Sequence, residues 1–274
     1  MGSNIIFTDL DGTFIDFETY SPEVAAPVAR DVVDRGVPVI FCSSKTFGEQ
    51  QALMDSIGLT LPCIVENGAG IFLPDSVRIL DDLPATKIKS GGRLISLGER
   101  SDKIRLQISA VSEALDLELK PYHEFSDSEV SRITGLDEEG ARRARNRDFS
   151  ETLTASLEPE IWMEVNAALQ PLGLRCLSGG RFHTVTSIDC NKGRALKMMV
   201  RGFESMTRVR WQSIGLGDSA NDFDMLRSVD HPYLVQTPAG AWNAIDVPNL
   251  KRISAIGPKG WVLAVQDALG LASD

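Results

Sequence analysis

Two stretches carry acids at a spacing that could do chemistry together. Asp9-Leu10-Asp11-Gly12-Thr13 sets two carboxylates one residue apart, directly after the apolar run Ile5-Ile6-Phe7. Bare carboxylates at the end of a buried strand are costly unless a cation neutralises them, so the pair points to a metal or to an anionic group bridged by one. Taken alone, the string could as well be a solvated Asp-Gly turn after an edge strand. Far down the chain, Ser213-Ile214-Gly215-Leu216 runs into Gly217-Asp218-Ser219-Ala220-Asn221-Asp222. Asp218 at a strand end and Asp222 one turn into a helix would face the same cation, where the isolated string reads only as a capped helix start. The two stretches together favour one shared site.

Two further groups suit an anion. Ser43-Ser44-Lys45-Thr46 closes a predicted strand just before a helix, where hydroxyls and backbone amides can hold a phosphate. Thr46 and Glu49 fit a capping box, which leaves Ser43 and Lys45 unexplained by capping. Lys192 falls in the first turn of a predicted helix, the end that the dipole makes unfavourable for a cation, so it is expected to face an anion or a carboxylate cluster. Glu66-Asn67-Gly68 reads by itself as an ordinary polar turn.

The elements that must position these residues alternate: strand Asn4–Thr8, helix Pro22–Arg35, strand Val37–Cys42, helix Phe47–Ser56, strand Cys63–Glu66. Ser21 is the expected cap of the first helix, with Pro22 in its first turn and Gly36 at its stop. Val37, Val39, Ile40 and Phe41 read as a parallel strand covered on both faces. In such sheets ligands sit at the carboxyl ends of the strands, where each polar group above falls. Beyond Pro74 the rhythm changes. Asp81 to Pro84 and Ser90-Gly91-Gly92 read as linkers, followed by strands over 93–97, 151–156, 174–177 and 182–186 and helices over 102–117, 128–133, 138–147 and 158–170. The pattern predicts an α/β chain with a doubly wound, parallel-sheet, Rossmann-like core (1–84 and 188–274) and an inserted α+β domain (85–187).

A net charge of −10 argues against a nucleic-acid partner but allows a small anion held by local cations. Arg142, Arg143, Arg145 and Arg147 spread around a helix and read as a solvated face. No apolar run is long enough for a membrane span, and the N-terminal residues do not form a signal peptide. Cys42, Cys63, Cys176 and Cys190 are scattered singly, as expected of reduced thiols in a cytoplasmic protein.

The motifs Asp9-x-Asp11-Gly-Thr, Ser43-Ser44, Lys192 and Gly-Asp218-Ser-x-Asn-Asp222, in this order, resemble the haloacid dehalogenase superfamily of phosphohydrolases. The long insert is similar to the cap of its sugar-phosphatase branch. Ser43-Ser44-Lys45-Thr46, Glu66-Asn67-Gly68, Arg147-Asp148-Phe149-Ser150-Glu151 and Gly179-Gly180-Arg181-Phe182 further resemble the mannosyl-3-phosphoglycerate phosphatases. The resemblance implies a nucleophile at Asp9 and an acid/base at Asp11. It implies phosphate binding by Ser43, Ser44, Lys45 and Lys192, and Mg²⁺ on Asp9, the Asp11 carbonyl and Asp218, with Asp222 as a further ligand or directly behind the ligands. Glu66, Asn67, Arg181, His183 and Asn221 would meet a small phosphorylated sugar or glycerate substrate, with the Arg181 fork suited to a glycerate carboxylate. A phosphomutase, another sugar-phosphate phosphatase (glucosyl-3-phosphoglycerate or sucrose phosphate) and a non-catalytic phosphosugar sensor are the alternatives. The oligomeric state is left open.

Overall fold

The computed structural model describes residues 3–89, 91–154, 157–179 and 182–271. Its first part follows the predicted alternation: β1 (Ser3–Thr8), α1 (Ala26–Asp34), β2 (Val39–Cys42), α2 (Phe47–Ile57) and β3 (Cys63–Val65), with β1, β2 and β3 parallel. Ser21 caps by accepting from the Glu23 amide, and the Pro22 carbonyl takes the Ala26 amide at 2.9 Å, so a turn precedes the regular helix. Thr46 and Glu49 form the predicted capping box of α2.

β4 (Gly70–Pro74) then folds back antiparallel on β3, and β5 (Lys87–Lys89) and β6 (Gly92–Ser96) carry the same sheet to its edge. The strand expected to open the insert thus pairs within the large sheet, and the chain leaves that sheet after Ser96, not at residue 84. An alternating apolar strand reads the same whichever sheet it joins, and Gly91-Gly92 belong to a hairpin, not a linker. A Cβ on Gly92 would stand 2.4 Å from the Leu73 carbonyl oxygen, so glycine is what lets β6 lie against β4.

The inserted part contains α3 (Ser101–Leu115), α4 (Asp127–Thr134), α5 (Glu138–Arg145), β7 (Ser150–Leu153), α6 (Pro159–Leu169), β8 (Leu174–Gly179) and β9 (Phe182–Ser187). Its three strands form an antiparallel sheet in the order β7-β9-β8. Ile104, Ile108, Val165 and Leu169 of α3 and α6 cover one face through Leu153, Leu174, Cys176 and Val185. Among the described residues, α3 and α6 both lie on this covered face.

The chain returns through α7 (Lys192–Thr207), β10 (Trp211–Gly217), α8 (Phe223–Leu226), β11 (His231–Gln236), β12 (Lys251–Ile256) and α9 (Gly257–Leu269). The large sheet is ordered β12-β11-β10-β1-β2-β3-β4-β6-β5. Alternate residues point to opposite faces: Ile6, Phe41, Cys63 and Ile214 pack with Ala29, Met54 and Trp261 of α1, α2 and α9, while Ile5, Phe7, Ile40 and Ile64 pack with Leu196 and Met199 of α7. Each of these fully buried Ile, Leu and Phe side chains contributes about 1.5–3 kcal/mol by leaving water. β1 lies between β2 and β10, so the order reverses there and opens a crevice at its carboxyl end. All four cysteines are free and buried, and among the described residues no helix is long and apolar enough to cross a membrane.

Candidate active site

Asp9 follows β1 directly and Asp218 follows β10, the parallel neighbour whose Leu216 carbonyl takes the Asp9 amide at 2.9 Å. This pairing brings the two distant acidic stretches to one crevice. Lys192, in the first turn of α7, reaches Asp9 Oδ1 at 2.6 Å and Asp222 Oδ1 at 2.7 Å. Asp9, Asp222 and Lys192 are buried, as is Asp218, whose Oδ1 accepts from Thr13 at 3.4 Å. Asp222 Oδ2 also accepts the amides of Asp218 and Ser219, which ties the turn around the site.

Three buried carboxylates gather beside one ammonium, which pairs directly with Asp9 and Asp222. Burial pushes the Asp9 carboxyl well above the usual carboxylate range, Asp222 pushes it further, and Lys192 pulls the other way. Asp218 is pushed up to about 7, chiefly by burial and then by Asp222. Burial would lower the Lys192 ammonium, but Asp222 and Asp9 together raise it. One oxygen each from Asp9, Asp218 and Asp222 lies within 4.8 Å of the others. This surplus of buried negative charge on oxygen ligands fits a hard divalent cation. The Asp11 side chain lies outside that trio and pairs with Lys45 Nζ at 3.0 Å. The same ammonium stands 3.8 Å from Glu49 and over the Tyr20 ring.

Glu66 departs from its expected place at the substrate rim. Its fully buried carboxylate accepts the amides of Asp148 and Phe149 at 2.8 and 3.0 Å and the Ser150 hydroxyl at 2.5 Å. Arg147, expected on a solvated face, is buried beside it and donates to the Ser44 carbonyl at 2.7 Å and to Ser150. Arg142, Arg143 and Arg145 do form partly solvated ion pairs, with Glu139 and Asp127. Glu66 and Arg147 therefore clamp the start of β7 to the loop that presents Ser44 and Lys45. Asn67 holds φ of 58° and donates its amide to the Ser43 carbonyl. Gly68 has φ of 92°, and a Cβ there would stand 2.2 Å from the Asn191 carbonyl oxygen; only glycine lets α7 bring Lys192 this close.

A cavity of about 500 Å³ extends from these strand ends to the open face of the small sheet, lined among others by Asp9, Asp11, Ser44, Lys45, Asn67 and Lys192. Asp218 and Asn221 border it from the β10 side. Ser43 is buried behind this wall, its hydroxyl accepting the Lys45 amide. His183 does not reach the cavity: its Nε2 accepts the Leu157 amide at 3.1 Å, and burial holds the imidazole below its ordinary value. Strand parity is the reason, because His183 and Val185 share the helix-covered face while Phe182 and Thr184 face the cavity. Thr152, Arg175 and Leu177 face it as well; the sequence reading missed them, although the same parity marks them once Cys176 and Val185 are placed in the core. Arg181 lies outside the described residues.

A family model described as haloacid dehalogenase-like hydrolase matches residues 6–238. The chain belongs to that family. It is 32% identical over 269 residues to a Methanococcoides burtonii protein named glucosyl-3-phosphoglycerate/mannosyl-3-phosphoglycerate phosphatase, covering 97% of each chain. A Persephonella marina protein of the same name is 31% identical over 259 residues, covering 94% of each. The fold also matches solved structures: a Thermoplasma acidophilum protein (TM-score 0.65, 15% identity, 99% of this chain and 100% of that one) and a phosphatase of the haloalkanoate superfamily from Bacteroides thetaiotaomicron (0.63, 16%, 99% and 96%). In this haloacid dehalogenase-like chain, as in the family expectation, the acids of the first and last motifs and the helix-opening lysine meet in one crevice.

Proposed function

We propose that the chain is a phosphatase hydrolysing the phosphate monoester of a glycosyl-3-phosphoglycerate, mannosyl or glucosyl, to the glycosylglycerate and inorganic phosphate. The observation that carries this reading is Asp9, held by Lys192 among buried acids at the wall of a cavity roomy enough for a sugar phosphate. Two relatives over 30% identical along nearly their whole length support the substrate class.

Asp9 attacks phosphorus in line; the bond to the alkoxide oxygen breaks as Asp11 gives that oxygen a proton. Water then attacks the phosphorus of the resulting aspartyl-phosphate, Asp11 takes the proton, and the Asp9 carboxylate is released. Lys45, Lys192 and the Ser43-Ser44 backbone stabilise charge on the transferring oxygens. Asp9, Asp218 and Asp222 with the Asp11 carbonyl would hold Mg²⁺, which when bound neutralises charge between nucleophile and phosphate. The buried free thiols support a reducing, cytoplasmic location.

The test is kcat/KM with Mg²⁺ on mannosyl- and glucosyl-3-phosphoglycerate, sucrose 6-phosphate and free sugar phosphates. One or both glycosyl-3-phosphoglycerates should lead by at least about tenfold, the worth of one well-placed contact. A lead for sucrose 6-phosphate or free sugar phosphates, or return of the phosphoryl group to sugar in place of free phosphate, would overturn the reading.

A further inference from the structure

Among the described residues four cations line the cavity: Lys45, Arg147, Arg175 and Lys192. Three are already matched by acids of the protein, Lys45 by Asp11, Arg147 by Glu66 at 3.7 Å and Lys192 by Asp9 and Asp222. Arg175 differs. Among the described residues it has no carboxylate partner; its Nη2 donates to the Cys190 carbonyl at 2.5 Å, and its Nε is buried without a hydrogen-bond partner. In a chain of net charge −10, a guanidinium left uncompensated in the cavity is a place for an anion supplied by the ligand.

Its position says which anion. Arg175 lies on β8 beside Leu177, on the face away from Leu174 and Cys176, so it points from the small sheet into the cavity. The carbonyl it grips belongs to Cys190, two residues before Lys192, and two residues span at most about 7 Å. The guanidinium is therefore tied to the segment that leads into Lys192, in the same cavity as Asp9 but not bonded to the acids that pair with Lys45 and Lys192. A phosphoglycerate carries its phosphate and its carboxylate on the same three-carbon chain. With the phosphate at Asp9, a second, separate anion site is needed within that short reach. A guanidinium offers two parallel donors to a carboxylate, a match an ammonium lacks.

We infer that Arg175 receives the glycerate carboxylate and so selects glycosyl-3-phosphoglycerates over sugar phosphates that lack it. This rests on the functional reading above. Holding the Cys190 carbonyl fixes the guanidinium in place before substrate arrives, which reduces the ordering cost of binding.

The experiment compares kcat/KM on glucosyl-3-phosphoglycerate and on the same compound with its carboxylate converted to the carboxamide, for wild type, Arg175→Gln, Arg175→Lys and Arg181→Gln. Wild type should favour the acid over the amide. Arg175→Gln should lower that acid-to-amide ratio by about tenfold to a hundredfold, the worth of a charged hydrogen bond, mainly through KM. Arg175→Lys, which keeps the charge and a donor for Cys190, should recover part of the ratio, and this recovery keeps the test decisive if the glutamine variant folds poorly. A ratio unchanged in both Arg175 variants, or one that collapses only in Arg181→Gln, would overturn the inference while the phosphatase reading stands. Wild type that turns over neither glycosyl-3-phosphoglycerate would instead remove the functional reading itself, and the inference with it.

Discussion

The strand ends of the large sheet and the open face of the small one bound the same cavity but are built on different electrostatic terms. At the strand ends Lys192 lies between Asp9 and Asp222, and Lys45 lies against Asp11. On the opposite wall stand Thr152, Leu177, Phe182 and Thr184, together with an arginine that among the described residues is bound only to a backbone carbonyl. The first region is held in shape by the protein's own charges before any substrate arrives, as preorganised catalysis requires. The second leaves a charge for the ligand to satisfy. Changes in the first should therefore reduce turnover of every substrate, and changes in the second should mainly alter which substrate is preferred.

The largest expected effect breaks the first region. Asp9→Asn keeps the shape and removes the proposed nucleophile, so kcat should fall at least about a thousandfold on glycosyl-3-phosphoglycerate and on an aryl phosphate alike, with the fold intact by circular dichroism. Loss on only one of the two substrates would erase the distinction between the regions. Next comes Lys192→Met, which strands two buried carboxylates without their cation. Urea unfolding should show a loss of about 3–5 kcal/mol, as for a buried pair broken on one side.

Glu66→Gln probes the clamp that joins the two regions. It leaves the Asp148 or Phe149 amide without its acceptor, and stability should drop by about 1–3 kcal/mol. Hydrogen exchange should quicken at the amides of 148 and 149 while those of β1 and β10 stay protected; uniform quickening would deny that the clamp is local.

The smallest effect concerns Asp218, pushed up to about 7 by burial and by Asp222. Because its folded carboxyl holds a proton more tightly than the unfolded one, the metal-free protein is stabilised below the ordinary carboxylate range and loses that contribution as pH rises through about 7. A divalent cation that binds the ionised trio offsets the loss. Added Mg²⁺ should thus raise Tm more at pH 8 than at pH 6, and equal shifts at the two values would contradict the assignment of Asp218 to the metal.

The sequence by itself marked the acids and the lysine that meet at the strand ends. Asp9 and Asp218 each end an apolar strand, Lys192 opens a helix where a cation is otherwise unfavourable, and Thr46 with Glu49 caps α2; such signals are local, spelled by types a few residues apart. Parity within a strand is local too, yet which parity faces the cavity depends on where α3 and α6 pack, and so His183 turned to the helix layer while Arg175 and Thr184 turned to the cavity. Pairing of β6 with β4 needed Gly92 to meet the Leu73 carbonyl, an encounter across the sheet that no spacing along the chain announces. Glu66 looked like a turn acid because its three donors arrive from residues 148–150, more than eighty positions away. Charge and hydrophobic period are properties of neighbouring residues and survive in the bare sequence. Which face is covered, and which distant amide meets a buried carboxylate, is settled only when the layers pack.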